Sequence, residues 1–244
     1  MNLTQVITVI INEMKIRLGL EAKRTIARYV NEKSKEGFTA LHYASYRGNI
    51  DIINKLIENS ADIEVTNFRG LNVLHMAAQG NHPSSLVYFK DKYFLNIQSI
   101  DEVGSTPLHW ACYTGSEISV MYLLSWGANV NVKDQEGLTP LHLAVMSERT
   151  RIIKKLLQKG ADKSLKDLRG RTPFDLASVK NKIPIMDMLK ERTNWQLCAI
   201  RAPLQKTEKS RFNIIFFFFV HLFVETAVII ALLPCPHIYI KVST

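Results

Sequence analysis

Five glycines recur along the chain at a nearly constant spacing. Gly37, Gly70, Gly104, Gly137 and Gly170 lie 33, 34, 33 and 33 residues apart, and each precedes a phrase of the type Thr-Pro-Leu-His. A fixed period of this length predicts a solenoid, in which each repeat packs only against its neighbours and at least three copies are needed for stability.

The repeated phrase predicts the start of an α-helix. A threonine hydroxyl can cap free backbone N–H groups, and a proline fits the first turn because its missing donor is not needed there. A second helix is predicted from apolar residues at positions i, i+1, i+4 and i+5, as in Ile152, Ile153, Leu156 and Leu157. Each repeat is therefore expected to be a pair of helices.

One histidine recurs in each of the first four copies. We expect its imidazole to bridge the threonine hydroxyl and neighbouring backbone, rather than to bind a metal or act as a base. The predicted structural positions are Thr39, His42, His75, Thr106, His109, Thr139 and His142. We predict no catalytic residue, metal or cofactor in the repeats, because the sequence has no Gly-rich phosphate loop and its three cysteines lie far apart.

The period, the Thr-Pro-Leu-His phrase and the ending Gly127-Ala128-Asn129 resemble the ankyrin repeat. That resemblance implies an all-α solenoid of helix pairs with β-hairpin fingers. The copies fall at residues 37–69, 70–103, 104–136, 137–169 and 170–192, which together form a domain of residues 37–192. The last copy is shortened and departs from the phrase with Phe174-Asp175, as expected of an end cap. Residues 1–36 are predicted to form a degenerate N-terminal helical cap.

The net charge of +9 is concentrated outside the repeats. Residues 37–189 carry seventeen Lys/Arg against fifteen Asp/Glu, whereas residues 190–212 carry six against two. A basic segment directly before an apolar one favours an anionic membrane surface over a phosphate backbone. We therefore predict a membrane association and no binding of nucleic acid.

Residues 214–233 are apolar apart from His221, Glu225 and Thr226. Twenty helical residues reach about 30 Å, the thickness of the hydrocarbon core, so we predict one transmembrane helix here, with a buried helix of a soluble protein as the alternative. Residues 193–213 become a basic juxtamembrane linker and residues 234–244 a short tail. The charge asymmetry predicts that the repeats of this single-pass protein lie in the cytosol. The Golgi or another endomembrane is the expected location, although the charge itself does not specify which membrane.

A second resemblance is carried by residues 71–80, 104–113 and 200–206. Over roughly residues 37–233 the chain is similar to the ankyrin-repeat Asp-His-His-Cys palmitoyltransferases, in which the repeats recruit protein substrates and a Cys-rich domain transfers the acyl chain. No Asp-His-His-Cys motif occurs among the 244 residues. The resemblance thus implies a membrane-tethered module for protein interaction without acyltransferase activity of its own, or else the N-terminal part of a complete protein S-acyltransferase.

The inner side of the solenoid is the predicted binding surface for a protein partner. In ankyrin stacks this side is lined by the ends of the first helices and by the finger tips, and exposed aromatic and Arg side chains dominate interface energetics. For Trp110, whose position in the repeat is usually half-buried between the inner helices, core packing is favoured over a partner contact. The predicted contacts are Tyr46, Arg47, Gln79, Tyr113 and Met146 at helix ends and Phe68, Arg69, Glu102 and Gln135 at finger tips.

Overall fold

The computed structural model describes residues 3–190 of the chain, and within that range it contains twelve α-helices and one short 3₁₀ turn at Gly19–Glu21. The helices are α1 (Leu3–Leu18), α2 (Ala22–Val30), α3 (Ala40–Arg47), α4 (Ile50–Glu58), α5 (Val73–Gln79), α6 (Pro83–Tyr93), α7 (Pro107–Thr114), α8 (Glu117–Ser125), α9 (Pro140–Met146), α10 (Thr150–Gln158), α11 (Pro173–Val179) and α12 (Ile183–Lys190).

The first helix of each repeat begins at the cap that the sequence predicts. Thr39, Asn72, Thr106, Thr139 and Thr172 are the N-cap residues of α3, α5, α7, α9 and α11, and all five adopt extended backbone there. In each case the side chain three residues later completes a capping box, which satisfies donors that the first turn leaves free.

The helices stack in two rows. The inner helices α3, α5, α7, α9 and α11 pack in succession, and the outer helices α4, α6, α8 and α10 form a second row behind them. Equivalent positions supply the buried core: Leu41, Leu74, Leu108 and Leu141 from the inner row, with Ile53, Leu86, Val120 and Ile153 and also Leu56, Phe89, Leu123 and Leu156 from the outer row. The prediction of stacked helix pairs is therefore confirmed.

The fingers differ from the predicted β-hairpins, because residues 3–190 contain no strand. Each finger is a single tight turn: the backbone N–H of Asn67 donates to the carbonyl of Leu71, and the Asn67 Oδ1 accepts the N–H groups of Arg69 and Leu71. One backbone hydrogen bond joins each finger to the next, as from Phe68 N–H to the carbonyl of Glu36 at 3.3 Å. Turns this short leave no room for a ladder of strand pairs, so the β-hairpin prediction is wrong for this range.

The finger glycines permit this close approach. Gly137 has a φ of 75°, a left-handed conformation that side chains disfavour, and a Cβ at this position would lie 2.9 Å from the backbone nitrogen of Leu168 in the next finger. A glycine at the turn is therefore required by both the backbone angle and the spacing of the fingers.

Asn31 and Lys33, which precede the first clear repeat, make hydrogen bonds to the stack that recur at Asn131 and Lys133. The Asn31 side chain donates to the carbonyl of Ser60 and accepts the N–H of Asp62, and the ammonium of Lys33 donates to the carbonyl of Thr66. Asn131 and Lys133 make the same bonds to the repeat that follows them. The loop after α2 thus has the geometry of a repeat ending.

No helix between residues 3 and 190 is long and apolar enough to cross a membrane. The predicted linker at residues 193–213, the predicted span at residues 214–233 and the tail at residues 234–244 lie outside the described residues, as do the last two residues of the fifth repeat.

Candidate protein-interaction surface

The repeat histidines lie inside the stack. The Nδ1 of His109 accepts the backbone N–H of Thr106 at 3.0 Å, so its proton resides on Nε2, which lies 3.2 Å from the carbonyl oxygen of Leu138 in the next repeat. His42 and His142 have the same pattern, and His75 has it with Asn72 in place of threonine. Each imidazole therefore caps its own helix and ties its repeat to the following one.

Burial determines the charge of these histidines. It lowers the pKa of His75 and of His109 to about 4, since the protonated ring would lose its hydration. Burial likewise lowers the pKa of His42 and His142. All four rings are neutral at pH 7. Within residues 3–190 no cluster of His, Cys, Asp or Glu has a geometry that could hold a metal ion.

The predicted helix-end residues occupy one register position of the inner row. Tyr46, Gln79, Tyr113 and Met146 follow one another from repeat to repeat; the two tyrosines are exposed, whereas Gln79 and Met146 are half-buried. Arg47, next to Tyr46, is exposed. These side chains form a strip along the C-terminal ends of the inner helices.

The predicted finger residues are all exposed at their turns: Phe68, Arg69, Glu102 and Gln135. The finger-to-finger hydrogen bonds place Phe68, Glu102 and Gln135 in one row, because each donates its backbone N–H to the preceding finger. The predicted residues thus fall into two rows, one on the helices and one on the fingers.

Trp110 is half-buried on the inner row, where core packing was predicted. Its indole N–H donates to the Oδ2 of Asp101 at 2.9 Å, and its ring meets the Tyr113 ring edge-on with centroids 6.4 Å apart. The other carboxylate oxygen of Asp101 accepts the N–H groups of Val103 and Ser105 in the finger. One carboxylate therefore fixes the orientation of an aromatic pair relative to its finger.

Three large exposed side chains on these rows are absent from the sequence prediction. Tyr43 stands at the Trp110 position of the first repeat, Val179 at the Tyr113 position of the fifth, and Leu168 at the Phe68 position of the last described finger. The repeat register would have found all three, since each lies one or two repeats away from a residue that was named.

The charge of the repeats changes along the stack. Residues 37–136 carry six Lys/Arg and ten Asp/Glu, whereas residues 137–190 carry twelve and five. The first three repeats are therefore acidic and the last two basic, so an extended segment bound along the strip meets fields of opposite sign at its two ends.

Two families of known repeat proteins match the sequence of the described stack. The family described as "Ankyrin repeats (3 copies)" matches residues 59–134 and 127–196, and "Ankyrin repeats (many copies)" matches residues 24–77. The chain is an ankyrin-repeat protein. This ankyrin domain is, like the repeats of its family, a module for protein interaction.

Curated relatives match parts of the chain. Palmitoyltransferase AKR1 of Lachancea kluyveri is 36% identical over 97 residues, which are 38% of this chain and 13% of the relative. Alpha-latrotoxin-Lt1a of Latrodectus tredecimguttatus is 34% identical over 112 residues, which are 45% of this chain and 8% of the relative. Notch-regulated ankyrin repeat-containing protein A of Danio rerio is 39% identical over 66 residues, which are 26% of this chain and 59% of the relative. The predicted similarity to ankyrin-repeat palmitoyltransferases is confirmed over the first of these segments, and the chain spans only part of each relative's length.

Proposed function

We propose that this ankyrin domain is a membrane-tethered recruiting module that holds a segment of a partner protein along its inner strip, as the substrate-recruiting part of an ankyrin-repeat palmitoyltransferase does. The observation that carries the proposal is the oriented Trp110–Tyr113 pair, fixed by Asp101 and continued by the exposed Tyr46. Aromatic side chains held in one orientation lose little entropy on binding, which suits them as anchors for a partner.

The structural role of the histidines supports a binding function. His42, His75, His109 and His142 use their ring nitrogens on backbone groups of the stack, and Cys112 is a free cysteine that is fully buried. The side chains left exposed on the inner strip are aromatic, amide and charged groups suited to contact rather than to catalysis.

Replacing Tyr113 with alanine is expected to weaken binding of a partner peptide by about 2 kcal/mol, roughly a thirtyfold rise in Kd, because it removes half of the oriented pair. The peptide is first selected from a display library against the full chain, and its Kd is then measured by titration calorimetry. Phe68→Ala tests the finger row in the same way. Lys154→Ala on outer helix α10 is the control and should leave the Kd unchanged. If both Tyr113→Ala and Phe68→Ala bind the peptide as the parent chain does, the inner strip is not the binding surface.

The tether rests on the sequence of residues 190–233, with six Lys/Arg before an apolar run of twenty residues and one lysine after it. We expect the chain to stay in the membrane pellet after carbonate extraction of a Golgi or other endomembrane fraction. Protease added to sealed vesicles should digest the repeats and spare the tail. Release of the full-length chain by carbonate would contradict the tether. Glu225 is the residue of the apolar run that most opposes membrane insertion, because burial of a charged carboxylate in the bilayer is unfavourable.

A second candidate is favoured by the 97-residue match to a palmitoyltransferase: the chain is the N-terminal part of a complete protein S-acyltransferase. Thioester transfer needs an activated thiolate, and no Asp-His-His-Cys motif is present to supply one. An in-frame continuation of the gene that encodes Cys-rich and further apolar segments distinguishes this candidate. The chain alone, incubated with labelled palmitoyl-CoA in lipid, should transfer no acyl group to a second protein.

A further inference from the structure

Helix α8 is apolar on the side that faces away from the stack. Val120 and Leu123 are buried in the core, as the outer row requires. On the opposite side Ile118, Met121 and Tyr122 are 48%, 52% and 40% exposed. Three large apolar side chains one helical turn apart thus form a continuous exposed surface.

This surface is absent from the outer helices of the first and fourth repeats. The same three positions hold Asp51, Asn54 and Lys55 in α4, and Arg151, Lys154 and Lys155 in α10. In those helices the outer side is polar, as is usual for a helix that faces water. The apolar side of α8 is therefore not a general property of this fold.

Aromatic and basic side chains extend the surface across α6. The rings of Tyr122 and Trp126 lie 5.4 Å apart, and the ammonium of Lys90 lies 5.2 Å from the centre of the Trp126 ring. The ammonium of Lys92 lies 5.0 Å from the Tyr88 ring and 5.6 Å from the Tyr93 ring. The outer aromatic patch is defined as Tyr88, Tyr93, Ile118, Met121, Tyr122 and Trp126.

Cations outnumber carboxylates around the patch. Lys90 and Lys92 flank it on α6, and Arg151, Lys154 and Lys155 flank it on α10. The facing carboxylates are already paired: Glu117 lies 3.5 Å from Arg151, and Asp91 lies 3.6 Å from Lys90. A second copy docked on the same patch would bring like charges together, whereas an anionic occupant would complement them.

We infer that the outer aromatic patch lies on the surface of an anionic lipid bilayer. Tyrosine and tryptophan rings settle at headgroup level, and lysines beside them reach lipid phosphates. The apolar Ile118 and Met121 enter the boundary of the acyl chains, as in an interfacial helix. The inference rests on the proposed tether, because the apolar run begins only 24 residues after Lys190 and a chain of that length reaches at most roughly 80 Å.

This placement of the patch on the bilayer leaves the recruiting surface accessible. The patch belongs to the outer row and the Trp110–Tyr113 pair to the inner row of the same repeats. With α8 on the bilayer, the inner strip faces away from the lipid and stays open to a partner in solution.

Tryptophan fluorescence in the full chain tests this arrangement. The sequence has three tryptophans, so the double substitution W110F/W195F leaves Trp126 as the sole reporter. The protein is reconstituted into phosphatidylcholine vesicles containing roughly 30% phosphatidylserine, with brominated acyl chains as quenchers. We expect brominated lipid to reduce Trp126 emission at least twofold, and to leave the matched reporter Trp110, in W126F/W195F, unchanged.

Two variants separate the lipid contact from a folding defect. In the Trp126 reporter, Met121→Glu should abolish the quenching, whereas Leu168→Glu, at an exposed apolar side chain of the last described finger, should not. Lys90→Gln with Lys92→Gln removes charge only, and should weaken the quenching while circular dichroism stays unchanged. Quenching that persists in Met121→Glu would contradict the inference.

The remaining outcomes distinguish this inference from the tether. A chain that resists carbonate extraction while Trp126 is unquenched overturns the inference and leaves the tether in place. A chain that carbonate releases, but whose Trp126 is still quenched by anionic vesicles, supports the patch and overturns the tether. Unquenched Trp126 together with dimers in light scattering overturns the inference in favour of a second copy.

Discussion

Lowering the pH from 7 to 4.5 is expected to unfold the ankyrin domain. His75 and His109 have a pKa of about 4 in the folded chain, against an ordinary value of 6.5. Below pH 6.5 the unfolded chain therefore binds protons that the folded chain does not. The stability that these two rings contribute is fully present above pH 6.5 and is lost as the pH falls toward 4.

The expected loss is large. At pH 4.5 the difference in proton binding amounts to roughly 2 to 3 kcal/mol for each ring, or about 5 kcal/mol for the two, which approaches the whole stability of many domains. The midpoint of urea unfolding, followed by circular dichroism between pH 7 and pH 4.5, measures it directly.

A double substitution of both rings provides the control. His75→Gln with His109→Gln should lower the stability at pH 7, since glutamine can serve the capping box but does not reproduce the bond to the next repeat. The stability of this double variant should change less between pH 7 and pH 4.5 than that of the parent chain. A urea midpoint that stays constant from pH 7 to pH 4.5 in the parent chain would show that the rings are not buried in their neutral form.

Replacing Leu141 with alanine is expected to destabilise the domain by about 3 kcal/mol. Leu141 has no exposed surface and lies in the inner row of core leucines, where neighbouring repeats keep the removed volume from collapsing. Thermal or urea unfolding at pH 7 gives the change in free energy.

Leu168→Ala is the matched control, because the same three carbon atoms are removed from a side chain that is 77% exposed. Its effect should stay within about 0.5 kcal/mol. Equal effects of the two substitutions would mean that α9 is not packed into the stack as described.

The repeat architecture could be predicted because every copy carries the same local signals. A glycine at the turn, a cap residue and, in the first four copies, a histidine three residues later fix the start of each inner helix, and the register of Leu41, Leu74, Leu108 and Leu141 follows from it. The fingers were predicted less well. Their sequence is typical of a turn, but whether the flanking residues pair as strands depends on contacts with the neighbouring finger.

The candidate surfaces show where a periodic pattern stops being informative. Ile118, Met121 and Tyr122 are not among the residues named from the sequence, because α8 is largely apolar, and the position of the neighbouring helices shows that they face outward. For Trp110 the sequence favours core packing, because its position in the repeat is usually half-buried between inner helices. Its exposed edge depends on the bond to Asp101, which lies nine residues earlier and in a different element.

The histidine bonds give the stack a direction. Each ring in the first four repeats reaches forward to a carbonyl of the repeat that follows, whereas in the fifth repeat the carboxylate of Asp175 accepts hydrogen bonds from Thr172 of its own repeat. Among the described repeats, the fourth is therefore the last whose histidine ring is hydrogen-bonded to the repeat that follows. Opening of the fifth repeat breaks one ring bond, from His142, and opening of the first repeat also breaks one, from His42, whereas opening of a central repeat breaks two. Amide hydrogens should accordingly exchange faster in the first and last described repeats than in the central ones.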